Sequence, residues 1–218
     1  AGQTSTLKWQ PMPVRWHAFD RGASGISASE FQATMARAFA TWEGVPTPSI
    51  TFQSGGLTGP EPFDDDGLSV LGFQDHPEME RVLGATGFLI DTVTAEIIEA
   101  DIFFNSAWLW SPSAAGDPNR FDLESVAVHE IGHFLGLGHS ALGETEVHPE
   151  GGRRVLASGA VMFPISFGRA TTHDRRLQPD DIAGVSDLYP DGDFRSDTGI
   201  ARGRITRNGG GVLGAHVV

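Results

Sequence analysis

The stretch that most constrains this chain is residues 129–139, His129-Glu-Ile-Gly-His133-Phe-Leu-Gly136-Leu-Gly-His139. In an α-helix, residues four apart stand one turn above each other on the same face, so His129 and His133 can present imidazole nitrogens to one metal ion. Glu130, next to the first histidine, is poorly placed to coordinate that ion but can reach water at it, which is the position of a general base. Gly136 lies three residues beyond His133, where a residue without Cβ turns the chain out of a helix in the left-handed conformation at little cost. That turn brings His139 back as a third ligand. Three protein ligands leave the fourth tetrahedral position for water or substrate, which separates a catalytic zinc from a closed structural one. The competing reading, a buried helix whose histidines are hydrogen-bonded core residues, must treat the five specified positions as coincidence.

The pattern resembles the HExxHxxGxxH signature of the metzincin metallopeptidases, and Ser140 directly after the third histidine is similar to the matrixin family within that clan, in particular its microbial members. Val161-Met162-Phe163-Pro164 looks like the methionine turn of the clan, and Leu177-Gln-Pro-Asp180-Asp181-Ile182-Ala-Gly184-Val-Ser-Asp-Leu188-Tyr189 is similar to the matrixin C-terminal helix. Ala38-Phe39-Ala40-Thr41-Trp42 and Glu99-Ala-Asp-Ile-Phe-Phe-Asn105 fall in matrixin order upstream, so the resemblance covers roughly residues 7–190.

The resemblance implies a metzincin α/β fold, with a twisted, mostly parallel five-stranded sheet, two long helices, and a smaller C-terminal part holding a third helix. It implies a secreted zinc endopeptidase acting on proteins or peptides. Met162 would be the hydrophobic base of the metal site, and Pro164 and Phe167 would border the specificity pocket, with Ser166 where the family usually has tyrosine. Asp181 would anchor the methionine turn and Asp180 meet the mature N-terminus. The plainer reading of this pair is two acids favouring the first turn of a helix started by Pro179. The strand Val82–Ile90 would be the edge bordering the cleft, where Gly84, Ala85 and Thr86 allow a peptide to add as a further strand. Thr86 stands where many matrixins carry a histidine for a second, structural zinc, so that ion is not expected. Structural calcium is common in the family. Asp64, Asp65 and Asp66 are the candidate ligands, although their spacing matches no complete calcium loop and a solvated acidic loop explains them more simply.

Two other readings compete. An astacin- or serralysin-like metzincin would need a tyrosine after the methionine turn, but the sole tyrosine, Tyr189, lies in the terminal helix pattern. A zinc-containing binding or adhesion module would have no need of Glu130.

Lys and Arg number 15 against 28 Asp and Glu, a net charge of −13, which argues against a nucleic-acid partner because phosphate binding rests on clustered cations. No apolar run approaches the ~18 residues of a membrane span. There is no cysteine, so neither a disulfide nor a thiolate ligand, including a latency cysteine, is available within the chain. A monomer is expected, and the start at Ala1 reads as a mature or engineered N-terminus.

Along the chain, alternation from Val14 predicts a first strand within residues 7–20, with His17 as a strand residue of no metal role. Ser27 and Glu30 form a capping-box pattern opening a helix to residue 43. Strands are predicted at 49–53, 68–73, 82–90 and 97–105, with loops at 54–67 and 106–120, and Asp122 caps the zinc helix. The path from His139 to Met162 is long and includes His148, Glu150, Gly151 and Gly152, read as a surface loop able to shape specificity. Residues 191–198 read as a linker. Residues 199–218 read as a β-hairpin around a glycine turn, similar to the opening of a carboxypeptidase regulatory-like β-sandwich domain. Two strands alone cannot bury a core, so either the domain continues past Val218, the favoured reading, with His216 on a sandwich face, or the hairpin packs against the catalytic domain.

Overall fold

The computed structural model describes residues 6–10, 12–79, 81–147, 153–165, 168–199 and 203–212. The readings placed on Ala1, His148, Glu150, Gly151, Gly152, Ser166, Phe167 and His216 lie outside them. The chain runs β1 (Val14–Phe19), α1 (Ala28–Glu43), β2 (Phe52–Thr58), β3 (Val70–Gln74), β4 (Gly84–Ile90) and β5 (Ile97–Asn105). The short β6 (Trp110–Ser111) and β7 (Phe121–Asp122) then lead into α2 (Leu123–Phe134). After it come β8 (Gly143–Val147), β9 (Arg153–Ser158), a 3-10 turn at His173–Arg175, α3 (Pro179–Leu188), α4 (Phe194–Asp197), β10 (Thr206–Arg207) and β11 (Gly210–Gly211).

The main sheet has the order β2-β1-β3-β5-β4, parallel except for β4, which pairs antiparallel with β5 and forms one edge. This is the predicted five-stranded, mostly parallel arrangement, in which parallel β1 and β2 need the crossover that α1 supplies. Ser27 and Glu30 cap α1 reciprocally, and Phe31, Met35, Ala38, Phe39 and Trp42 turn one buried face toward the sheet. Trp16 stacks on Phe39 at 4.7 Å between centroids, and Phe39 meets Phe134 of α2 edge-on at 5.5 Å, so one aromatic seam joins sheet and both helices. The Trp42 indole donates to the Val128 carbonyl at 2.9 Å, fixing α1 against the turn of α2 just before the first histidine.

Several boundaries differ from the sequence reading. The second strand lies at Phe52–Thr58 rather than 49–53, passing through glycines taken for a loop. A Cβ on Gly55 would lie 2.0 Å from Nε2 of His17, and Gly56 has φ 88°, so these glycines admit the histidine ring and an irregular register opposite residues 16–18. Loop 106–120 carries the β6 half of a small parallel pair with β7. The insertion before the methionine turn is an antiparallel hairpin, β8 with β9. The predicted linker holds the one-turn α4, and the glycine turn of the tail joins β10 to β11 through Asn208 and Gly209 at φ 52° and 80°.

Candidate metal centre and cleft

Asp122 caps α2 by accepting from the Ser125 amide at 2.9 Å, and Arg175 pairs with the same carboxylate, so the start of the helix is held from two sides. About two turns later His129 and then His133 face the cleft, their rings 4.9 Å apart. α2 ends at Phe134 with Leu135 as its C-cap, and Gly136 takes φ 97°, where a Cβ would also lie 2.3 Å from the Leu7 carbonyl oxygen. The reversal returns His139 so that its Nε2 lies 3.1 Å from Nε2 of His133.

His129 Nδ1 lies 2.7 Å from the Val161 carbonyl and His133 Nδ1 lies 2.8 Å from that of Leu137. Both rings therefore hold their proton on Nδ1 and turn the lone pair of Nε2 to the cleft, the orientation a metal-ligating histidine needs. Burial pushes the His129 imidazole down to about 4, against the Val161 hydrogen bond, and burial lowers His133 as well, so these rings are neutral at neutral pH. The ligand atoms of all three histidines lie within 4.8 Å of one another, and among the described residues no other group of three His, Asp or Glu side chains converges in this way. The site fits a zinc ion, whose bonds of about 2.1 Å to three tetrahedral nitrogens hold them roughly 3.4 Å apart.

Glu130 is 5 % exposed, and burial raises its carboxyl to about 7 even though the Thr86 hydroxyl donates to it at 2.8 Å. This contact was missed from sequence. Thr86, aligned there with a second-zinc histidine, has its side chain on the face of β4 turned toward α2. The register that aims it at Glu130 is tertiary information.

Met162 is 3 % exposed beneath the helix, and Gly132 is what admits it, because a Cβ there would come within 2.2 Å of its sulfur. The Asp181 carboxylate accepts from the amides of Val161 at 2.8 Å, Met162 at 3.0 Å and Gln178 at 2.8 Å, so it joins the methionine turn to α3. Asp180 accepts from the Ser140 hydroxyl at 2.7 Å. The cleft, about 840 Å³, is lined by the three histidines, Glu130, Gly84, Ala85 and Thr86 of the edge strand, Trp108, Phe121, Phe163 and Pro164. A Cβ on Gly143 would be 2.6 Å from the Phe163 ring, so the base of the β8–β9 hairpin backs an aromatic wall of the cleft. Asp64, Asp65 and Asp66 lie on the exposed loop before β3, where Asp64 accepts from Glu61 N and Asp66 from Leu68 N.

Residues 8–190 match the sequence profile of the family described as matrixin, peptidase family M10. Metalloendoproteinase 1 of Glycine max is 30% identical over 162 residues, which cover 73% of this chain and 45% of that protein. Metalloendoproteinase 2-MMP of Arabidopsis thaliana is 30% identical over 171 residues (73% and 37%), and interstitial collagenase A of Mus musculus 32% identical over 158 residues (71% and 28%). The chain spans less than half the length of these relatives. With a profile match running from the bridge at Lys8 to the end of the C-terminal helix region, the chain belongs to the matrixin family.

Proposed function

We propose that this chain is a zinc-dependent endopeptidase, with His129, His133 and His139 holding the ion and Glu130 as general base. The observation that carries the reading is three histidine nitrogens converging beside a buried carboxylate, in a cleft bordered by β4, the edge strand of the sheet among the described residues. Zinc, when bound, supplies a Lewis acid that brings the pKa of water to about 7 and polarises a carbonyl. Glu130 takes a proton from the attacking water and delivers it to the departing amine nitrogen. The backbone of β4 aligns an extended peptide by strand addition, independent of side-chain identity. Trp108, Phe121 and Phe163 offer apolar walls for a substrate side chain.

A zinc-holding module without catalysis has no use for a carboxylate buried beside the ligands. Glu130→Ala is expected to bind zinc fully and lose at least about 100-fold in turnover of casein, while alanine at any of the three histidines lowers zinc content. Equal cleavage by wild type, Glu130→Ala and chelator-treated protein would sink the mechanism.

Secretion, a monomeric state and a β-sandwich module opening at residue 199 belong to the same proposal, supported by the family and by the sequence pattern of the tail. A calcium ion at Asp64, Asp65 and Asp66 is supported by the gathering of carboxylates there, since the charges of Asp66 and Asp65 add to burial in raising Glu99 behind the loop. A calcium-dependent rise in melting temperature is its test.

A further inference from the structure

Strand β4 serves two neighbours. Among the described residues its outer backbone edge has no sheet partner, and its side chains alternate between faces. A Cβ on Gly84 would meet Glu130 Cγ at 3.4 Å, whereas one on Gly87 would meet the Phe63 ring at 2.7 Å on the opposite face. Thr86 shares the Gly84 side, and its hydroxyl lies 2.8 Å from Glu130 Oε2 and 3.0 Å from the Glu130 carbonyl oxygen. That carbonyl lies inside α2, where the helical ladder supplies a donor, so the hydroxyl proton belongs on the carboxylate. Among the described residues no other hydrogen bond reaches the Glu130 carboxylate.

We propose that Thr86 is a positioning residue for Glu130: its hydroxyl fixes the carboxylate toward the cleft and ties the base to the strand edge on which the peptide lies. The proposal rests on Glu130 acting as the base. A glutamate side chain has three rotatable bonds, and one charge-assisted hydrogen bond selects among its rotamers. The hydroxyl comes from the strand that aligns substrate, so base and peptide share one frame. The strand's backbone, not this hydroxyl, meets the peptide, so losing the hydroxyl slows the chemical step and leaves peptide affinity alone.

The test compares wild type, Thr86→Val, Thr86→Ala, Thr86→Ser and Glu130→Ala for zinc content, melting temperature, and kcat and KM on a quenched fluorescent peptide copied from a casein site that the wild type cuts. Valine keeps the branched shape and strand preference of threonine without the hydroxyl, alanine makes the same deletion should valine crowd the helix, and serine restores the hydroxyl alone. Thr86→Val and Thr86→Ala are expected to bind zinc fully and lose kcat about 10- to 100-fold with KM within about twofold, and Thr86→Ser to return kcat to within about threefold of wild type. Wild-type kcat without the hydroxyl, or a serine variant as slow as the valine one, overturns the positioning role while an inactive Glu130→Ala leaves the base reading standing. Full turnover by Glu130→Ala removes the base reading and this proposal with it.

Discussion

Gly132 shows how much one missing Cβ decides. By helix propensity alone, Gly132→Ala would add about 1 kcal/mol of stability. The methyl would instead fall 2.2 Å from Met162 Sδ and 2.9 Å from Trp42 Cζ2, both in a closed core. The sign therefore reverses, and Gly132→Ala is expected to cost about 1–3 kcal/mol in chemical denaturation. A variant as stable as wild type would show that Met162 and Trp42 move aside freely. At this scale the convergence of His129, His133 and His139 was legible, because the i, i+4 spacing and the turn glycine are local properties of the chain. The work of Gly132 and Thr86 was not, since Gly132 answers to Met162 and Trp42 and Thr86 to Glu130, all side chains about 30 or more positions away.

Among elements, β5 carries the most informative interior charge. Asp101 is 3 % exposed, and its oxygens accept from Val70 N at 2.6 Å and Phe63 N at 3.0 Å, so the strand holds both β3 and the loop before it. Burial, ahead of its neighbours' charges, raises this carboxyl from 3.8 to about 6. A raised carboxyl pKa means the folded state binds the proton more tightly than the unfolded chain. Its contribution is therefore most favourable below about pH 4 and declines until about pH 6. Wild type is expected to lose on the order of 2–3 kcal/mol relative to Asp101→Asn across that window, measured by denaturation in calcium-free buffer. A pH-independent gap would assign the aspartate a neighbour that keeps it charged. The strands β4 and β5 were readable because their turn and apolar runs are contiguous, and α1 because its cap and stripe are local. The position of β2 was not, because its glycines signal a loop until His17 is seen lying across them.

At the scale of the molecule, the bridge of Pro48 with Pro190 and the bond from the Asp191 amide to the Thr47 carbonyl at 2.9 Å close the family domain, and residues 203–212 are exposed throughout. A chain ending at Thr198 is expected to keep its melting temperature within about 2 °C and its peptidase activity, while a larger loss would make the tail part of the catalytic fold. The enclosure of Met162 also governs how the protein meets an oxidant. Of the four methionines, Met12 and Met79 are 36% and 40% exposed, whereas Met35 and Met162 are 0% and 3% exposed. Peroxide is expected to add oxygen first to the two outer thioethers, visible as two successive mass increments with turnover unchanged. A sulfoxide at Met162 needs room that Gly132 and Trp42 do not leave, so inactivation should follow unfolding and not the dose of peroxide.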